Sequence, residues 1–381
     1  MKSSGSATTA AGRLATARPY PRKAARVSRS LTSFIWPAPR PALRSLFTAG
    51  IVAVLASCSG GASTHAATAS SATSADSGNP VTDQPVQTTG CGHSHPTSTF
   101  TRTLDVNGLR REYLVHLPPG VSAATPLPAV IYFHGGGRAP ADWLSIVDMH
   151  SGFSQLADQE RFIAVYPLGS TRPTDGRVGW NTGSAPLVTY DSRADDVLFV
   201  SRMLDDLQAI ACVDNARIYA TGFSSGGSMT DVLACHLAGR IAAFAPVEGA
   251  YFPVPGGCHP ARPVSIISFA GTGDDKVPYF TGVTTGIAAG MESIPQWLAR
   301  WALLDHCDPA PAIFYHRKDI YGANYQRCAH GAELVHYRIT GGQHAWPGGT
   351  AWLGAPAGTP TINATSLIWS FFRSHPLRTP A

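Results

Sequence analysis

A serine between small residues is the first place in this chain where the residue types indicate chemistry. Gly222, Ser224 and Gly226 fill the pattern G-x-S-x-G, which holds a serine at a sharp turn between a strand and a helix. The backbone of such a turn is strained, and a larger side chain two positions before or after the serine would collide with the neighbouring strand and helix. A helix at 225–236 would direct its N-terminal N–H groups towards an oxygen that becomes negative. The pattern predicts a nucleophile for acyl transfer, although an ordinary Gly/Ser turn can have the same spacing.

Two residues further along the chain have the types that such a serine requires as partners. A serine is activated when a histidine accepts its proton and a carboxylate orients that histidine. Asp274 follows the predicted strand 264–270, and His344 follows the predicted strand 334–339, each on a glycine-rich loop. Because the carboxyl ends of parallel strands meet at one edge of a sheet, we expect these side chains to converge with Ser224 there.

The elements that must position these residues alternate between strands and helices. Asn107-Gly108, between two runs of alternating character, predicts an antiparallel hairpin at the start of the domain. The continuous apolar run 129–133 predicts a strand buried on both faces, and it leads into the glycine-rich loop 134–137. Further strands are predicted at 162–166, 218–221 and 241–246, and helices at 154–160, 294–305 and 361–373. This order predicts a single α/β domain with a mainly parallel central sheet flanked by helices.

Asp195 and Asp196 form an acidic pair that has two interpretations. Paired carboxylates carry out glycoside hydrolysis, but adjacent residues at the start of a helix point in different directions. Acidic side chains also suit a helix N-terminus, and apolar residues at helical spacing follow the pair. We therefore interpret Asp195 and Asp196 as the cap of a helix.

The charged residues are distributed unevenly along the 381 residues. The chain has 29 Lys and Arg and 24 Asp and Glu, but nine of the bases and none of the acids precede Cys58. The remainder holds 20 bases against 24 acids, a net charge of about −4. That part of the chain lacks the basic surface that nucleic-acid binding requires, so no nucleic-acid partner is expected.

The N-terminal region has the features of an export signal. Residues 46–57 form an apolar run of signal-peptide length, too short to span a bilayer as a mature helix. The run ends in Leu55-Ala56-Ser57-Cys58, which resembles a bacterial lipobox, where Cys58 becomes the lipid-modified first residue of the mature protein. An ordinary secretory signal with an incidental cysteine is the alternative.

The following segment, 59–90, is rich in Ser, Thr, Ala and Gly and cannot form a core. We expect a signal peptide at 1–57, a lipidated tether at 58–90 and a catalytic domain at 91–381. The protein would then be exported and anchored at the outer face of the bacterial cytoplasmic membrane, or secreted.

Six further cysteines indicate disulfide bonds, as is usual in an exported chain. They are Cys91, Cys212, Cys235, Cys258, Cys307 and Cys328. Pairing of Cys307 with Cys328 and of Cys235 with Cys258 is favoured because each pair is close in sequence, and Cys91 with Cys212 follows by elimination. A metal site at Cys91-Gly92-His93-Ser94-His95 is the weaker interpretation, because no second cluster of ligands is near in sequence.

Together the motifs resemble a secreted esterase family. They are Gly-Phe-Ser-Ser-Gly-Gly-Ser-Met at 222–229, Gly-Thr-Gly-Asp-Asp-Lys-Val-Pro-Tyr at 271–279 and Gly-Gly-Gln-His-Ala-Trp-Pro-Gly at 341–348. The family groups polyhydroxybutyrate depolymerases, feruloyl esterases and acetylxylan esterases, including actinobacterial lipoprotein esterases, and the resemblance covers residues 91–373. One departure is Ala270, where family members often have histidine.

The resemblance implies an α/β-hydrolase fold and hydrolysis of carboxylic esters by Ser224, His344 and Asp274, without a metal or cofactor. It aligns the acid two residues after Thr272, and so favours Asp274 over its neighbour Asp275. It also implies an oxyanion hole formed by backbone N–H groups, which are those of Ser225 and of Gly135 or Gly136.

The acyl pocket and the substrate are less well defined. We expect Trp180 and Trp346 to form walls for an aromatic acyl group or a sugar, with core packing as the alternative. The substrate would be a small or polymeric ester, feruloyl, acetyl or hydroxybutyrate in type, acted on by a monomer. A catalytically silent envelope protein that binds glycans or polyesters, and a serine peptidase on the same fold, are the competing interpretations.

Overall fold

The computed structural model describes residues 81–93, 99–138, 151–183, 190–283, 290–351 and 355–378. The predicted signal peptide, Cys58 and part of the segment 91–95 lie outside the described residues. Within these ranges, no helix is both long enough and apolar enough to cross a membrane.

A ten-stranded sheet forms the centre of the domain, and a three-stranded sheet lies beside it. The strands are β1 (Thr99–Val106), β2 (Leu109–His116), β3 (Leu127–Phe133), β4 (Gly137–Arg138), β5 (Ile163–Pro167), β6 (Ser170–Thr171), β7 (Arg177–Gly179), β8 (Val213–Phe223), β9 (Ala243–Val247), β10 (Ser265–Gly271), β11 (Ala312–Arg317), β12 (Ile320–Tyr325) and β13 (Leu334–Ile339). The large sheet has the order β1-β2-β5-β3-β8-β9-β10-β13-β12-β11, and the small sheet the order β4-β7-β6. The six strands from β5 to β13 in this order are parallel, and an antiparallel hairpin closes each edge. The predicted parallel sheet is confirmed.

Helices cover both faces of the large sheet. They are α1 (Phe153–Glu160), α2 (Asp196–Ile210), α3 (Ser225–His236), α4 (Ile294–Leu304) and α5 (Ala364–Ser374). Apolar side chains of α2, α3 and α4 share one core with Ile131 and Phe133 of β3, whereas those of α1 and α5 share a second core with Val130 and Tyr132. Because successive side chains of a strand point to opposite faces, the two cores lie on the two sides of the sheet. All seven residues of β3 are buried, as the continuous apolar run predicted.

The hairpin of β11 and β12 has no counterpart in the sequence analysis. Five of the six residues of β11 are exposed, so this edge strand lacks the apolar alternation of a half-buried strand. The second strand contains Gly322, an unfavourable residue in a strand interior, whose position lies against the Phe314 ring of β11. Pairing with β13 holds β12 in the sheet, and this contact is not visible in a local pattern.

Asp195 and Asp196 have different roles. The Asp195 side chain accepts a hydrogen bond from the Leu198 N–H and caps α2, as predicted. Asp196 is buried instead, where its carboxylate pairs with Arg111 at 2.6 Å and accepts the N–H of Asn181 at 2.7 Å. The prediction that both acids are caps is therefore wrong for Asp196, because the tertiary structure brings a buried arginine from β2 to it.

The predicted disulfide pairs are confirmed. Cys91 is bonded to Cys212, Cys235 to Cys258 and Cys307 to Cys328. Three disulfides are typical of proteins that fold outside the cytosol and indicate an exported protein.

Residues just before Cys91 contact the domain body, although they were assigned to the tether. The Val86 carbonyl accepts hydrogen bonds from the side chains of Gln208 and Asn215, and Asp83 accepts the N–H of Gly239 at 2.7 Å. Ordered contacts with the domain therefore begin before the boundary at 91.

Candidate active site

Ser224 lies at the turn between β8 and α3 and has the strained backbone that the sequence predicts. Its φ and ψ are 56° and −121°, and its N–H donates to the Val247 carbonyl at 2.9 Å. A Cβ atom on Gly226 would lie 1.9 Å from the carbonyl oxygen of Phe133, and one on Gly222 would lie 2.4 Å from that of Gly226. Both positions therefore require glycine, because the turn is pressed against β3.

His344 and Asp274 meet at the end of the sheet. The loop after β10 carries Asp274 and the loop after β13 carries His344, and these two strands are parallel neighbours. The His344 Nδ1 lies 2.6 Å from the Asp274 Oδ2. The neighbouring Asp275 is exposed and pairs with Lys276 at 3.0 Å. As expected, Asp274 is the one of these two adjacent acids that is hydrogen-bonded to His344.

The surroundings of Asp274 favour its ionised form. The Asp274 Oδ1 accepts the N–H groups of Lys276 and Val277 at 2.7 and 2.9 Å. Burial alone would raise the pKa of Asp274, but its hydrogen bond to His344, the charge of His344 and these N–H groups outweigh burial and hold the pKa below its usual range. The Asp274 carboxylate can therefore orient the imidazole and stabilise its protonated form.

The ring of His344 also contacts the strand that carries the serine. Phe223 is the last residue of β8 and directly precedes Ser224, and its ring centroid lies 4.8 Å from that of His344. This contact brings the histidine loop to the turn between β8 and α3.

The glycine loop after β3 lies against the same turn. A Cβ atom on Gly135 would be 3.3 Å from the Cβ of Ser224, and one on Gly136 would be 3.6 Å from that of Ser225. The Gly169 N–H donates to His134 Nε2, so the His134 Nδ1–H donates to the Gly135 carbonyl at 2.8 Å. Because C=O and N–H of a trans peptide point in opposite directions, the Gly136 N–H points away from His134.

His134 is a structural residue of this loop. Burial lowers its pKa to about 4, so the imidazole is neutral at pH 7 and keeps the tautomer that the two hydrogen bonds require. The Trp180 Nε1–H donates to the His134 carbonyl at 2.9 Å and holds the loop from the other side.

Trp180 and Trp346 belong to the core. Their side chains are 1% and 2% exposed. Trp346 donates to the Thr365 hydroxyl at 3.0 Å and packs on Tyr132 with ring centroids 5.5 Å apart. These contacts correspond to the alternative of core packing, so we correct the expectation that the two rings form the walls of a substrate pocket.

Tyr190 is a site residue that the sequence analysis missed. A Cβ atom on Gly136 would lie 2.8 Å from its hydroxyl oxygen and 3.6 Å from the Cβ of Ser225, so the Tyr190 hydroxyl lies beside the glycine loop and the start of α3. Its backbone N–H donates to Asn181 Oδ1 at 3.0 Å, which fixes the chain where the ring enters the site. No local motif marks this tyrosine, because its contacts come from distant parts of the chain.

Glu248 was also missed, and it lies beside Asp274. The ligand atoms of Glu248, Asp274 and His344 all lie within 4.8 Å of one another, a spacing that a metal ion could use. However, the Asp274 oxygens already accept hydrogen bonds, and both Glu248 oxygens accept the Gly271 N–H at 2.9 and 3.0 Å. The cluster therefore fits a hydrogen-bond network better than a metal site.

A cavity of about 370 Å³ lies behind the histidine loop. Glu248, Asp319 and Gln343 are among its lining residues, but Ser224 and His344 are not. We do not assign the substrate to this cavity, because it does not reach the nucleophile.

Comparison with known proteins finds similarity to esterases. The chain is 32% identical over 244 residues to feruloyl esterase B of Piromyces equi, covering 62% of this chain and 42% of that protein. It is 27% identical over 263 residues to feruloyl esterase D of Neurospora crassa, covering 67% and 81%. The chain is related to esterases. No protein-family model matches it.

Among solved structures, an acetyl xylan esterase from Aspergillus awamori matches this chain with a TM-score of 0.47 and 15% identity. The match covers 65% of this chain and 94% of that structure. The chain thus spans less than half the length of the Piromyces relative, but most of the length of the Neurospora relative and of the Aspergillus structure.

The contact between the serine turn and β3 can be tested with Gly226→Ala. The added methyl group would lie 1.9 Å from the Phe133 carbonyl, so the backbone must shift, and we expect the domain to lose about 1–3 kcal/mol of stability. Thermal and urea unfolding measure this loss. Gly137→Ala is the matched control, since a Cβ there has no neighbour within 4 Å. Equal melting temperatures for both variants would contradict the predicted close contact.

Proposed function

We propose that the protein is a serine esterase that hydrolyses carboxylic esters through an acyl-enzyme. The observation that carries this proposal is the 2.6 Å hydrogen bond between His344 and Asp274, on loops beside the strained turn of Ser224. The relationship to feruloyl esterases supports the same reaction class.

In the proposed mechanism Ser224 is the nucleophile and His344 the base. His344 Nε2 removes the proton of the Ser224 hydroxyl as the oxygen attacks the ester carbonyl, and then donates that proton to the departing alcohol. Water, activated by the same imidazole, next releases the acid and restores the serine. Asp274 accepts the Nδ1–H of His344, which keeps the other nitrogen free as base and stabilises the imidazolium between the steps.

We assign the oxyanion hole to the backbone N–H groups of Ser225 and Gly136. Ser225 begins α3, whose N-terminal dipole favours negative charge at this position. Gly136 is preferred to Gly135, because the hydrogen bond of the Gly135 carbonyl to His134 turns the Gly136 N–H to the opposite side. Each such donor typically contributes about a hundredfold to a thousandfold in rate.

The proposed substrates are esters of a ferulic or acetic acid group, or short polyhydroxyalkanoate-type esters. The feruloyl relatives favour the first class. Initial rates on methyl ferulate, an acetylated xylan and a hydroxybutyrate oligomer would rank the three classes, and a peptide panel would detect a serine peptidase.

Ser224→Ala tests the nucleophile. The variant should fold normally, because it removes one hydroxyl from a partly exposed turn, and it should lose essentially all turnover of p-nitrophenyl acetate. The wild-type protein should react covalently with a fluorophosphonate and the variant should not, as intact mass would show. Turnover retained by the variant would refute this nucleophile, and a wild-type protein that neither turns over esters nor reacts would favour a silent binding protein.

The adjacent acids offer a matched pair for testing the third residue of the triad. Asp274→Asn should lower kcat at least about a hundredfold, because an amide favours the wrong tautomer of His344. Asp275→Asn should cost less than about fivefold, because it removes only an exposed pair with Lys276. Both are measured on one soluble ester, with folding checked by thermal melting. The reverse ranking would assign the orienting role to Asp275.

We further propose that Cys58 carries a lipid anchor that holds the monomeric esterase at the outer face of the bacterial cytoplasmic membrane. The lipobox-like tetrad ending at Cys58 supports this proposal, as does the exported character of the disulfide-bonded domain.

Cys58→Ala tests the anchor in cell fractions. The variant should lose its lipid and either leave the membrane fraction or remain unprocessed, as mass spectrometry and fractionation would reveal. Normal processing together with unchanged membrane retention would contradict an anchor at this residue.

A further inference from the structure

Glu248 occupies an unusual position directly behind the proposed triad. It follows β9 and has a φ of 48°, a left-handed conformation that is uncommon for a residue other than glycine. Its N–H donates to the Phe269 carbonyl at 2.9 Å, which anchors it to the neighbouring strand β10. Strained residues of this kind persist where the surroundings hold them, and they cluster at functional sites.

The Glu248 side chain lies against both ends of the segment 271–274, which carries the proposed triad acid Asp274. Its oxygens accept the N–H of Gly271, the last residue of β10, and a carboxyl oxygen of Glu248 lies within 4.8 Å of one of Asp274. The side chain is 2% exposed, so water does not compete for these contacts. Glu248 is therefore placed to control where the Asp274 carboxylate lies.

Two buried carboxyl groups this close favour a proton on one of them, because two neighbouring carboxylates repel each other and neither can donate a hydrogen bond. Asp274 accepts three N–H groups, those of His344, Lys276 and Val277, so it is the better anion. Glu248 accepts only the Gly271 N–H among the hydrogen bonds described, and it has no ion pair with Lys or Arg in the described residues. The proton therefore belongs on Glu248.

The other groups that face Glu248 do not change this assignment. Tyr251 and Tyr279 are the tyrosines near enough to interact with its charge, and both are neutral at pH 7. The cavity behind the histidine loop has only Glu248 and Asp319 as charged lining residues, so it supplies no cation. Burial and the charge of Asp274 raise the pKa of Glu248 well above its usual range.

We propose that Glu248 is a positioning residue, a neutral carboxylic acid whose O–H donates to the Asp274 carboxylate and holds it on the imidazole of His344. The role rests on the proposed esterase function. With this hydrogen bond Asp274 has four donors, which fills the acceptor positions of a carboxylate and leaves it one orientation. The neutral state also avoids a second negative charge, which would favour the imidazolium and leave less His344 in the neutral form that can accept the serine proton.

Two substitutions separate the hydrogen bond from the charge. Glu248→Gln keeps a donor and a carbonyl acceptor and adds no charge, so kcat should stay within about threefold and the acid side of the pH profile should not move. Glu248→Leu removes the donor, so kcat should fall about tenfold or more with KM within about twofold. Its kcat/KM should reach half its maximum at a higher pH, because a less stabilised Asp274 carboxylate holds the proton on His344 more strongly.

Asp305 provides the matched control. It is a buried acid at the opposite end of β10, where it accepts the Val264 N–H at 2.7 Å. Asp305→Leu should lower the melting temperature but leave kcat within about twofold and the pH profile unchanged, since it does not touch the site. A pH profile that moves in Glu248→Leu alone therefore reports positioning and not lost stability.

The decisive outcomes do not all depend on turnover. At pH 8 the infrared difference spectrum between wild type and Glu248→Gln should contain the C=O stretch of a protonated carboxyl group. The absence of this band would overturn the proposal even if the esterase activity is present, as would full kcat in Glu248→Leu. A shift of the Glu248→Gln profile to lower pH would also overturn it, because that shift requires a charged Glu248. If wild type lacks ester turnover and does not react with a fluorophosphonate, the proposed function fails, while the infrared band still tests the protonation of Glu248.

Discussion

The site depends on the close approach of two parallel strands, β3 and β8, at their carboxyl ends. Gly226 lies so near the Phe133 carbonyl that no Cβ fits between them, and this contact forces the serine turn against the glycine loop. One pair of strands thus places the nucleophile and the loop with the proposed oxyanion donors. The strain at Ser224 is balanced by the buried core around the two strands, where every residue of β3 is buried.

The remaining partners come from the next strands of the same sheet. The loops after β10 and β13 bring Asp274 to His344, and Glu248 reaches the same point from the end of β9. Two carboxyl groups buried side by side favour different protonation states. The hydrogen bonds and charge around Asp274 hold its pKa low, whereas burial and the charge of Asp274 raise the pKa of Glu248. Such a pair resembles other sites in which burial keeps one carboxylic acid neutral as a donor.

Several aromatic and histidine side chains support the site without taking part in the proposed chemistry. Trp180 and His134 bind the backbone of the glycine loop, and Trp346 anchors the segment after His344 in the core. Of these residues, the two tryptophans were expected to form walls of a substrate pocket. Their buried polar atoms find partners within the protein, which makes them part of the scaffold.

The sequence by itself determined the parallel sheet, the serine turn, the choice of Asp274, the pairing of His344 with it and the disulfide pairs. The sheet and the turn follow from local patterns, because a strand buried on both faces is apolar throughout and a strained turn needs glycine on both sides of the serine. The choice of Asp274 came from the resemblance of its loop to the esterase family, and the pairing of Cys91 with Cys212 came by elimination. Only the tertiary structure decided the roles of Asp196, Tyr190, Glu248 and the two tryptophans. Each depends on a partner distant in the chain, such as Arg111 for Asp196 and Asp274 for Glu248, and no periodicity or spacing records a contact made when distant strands come together.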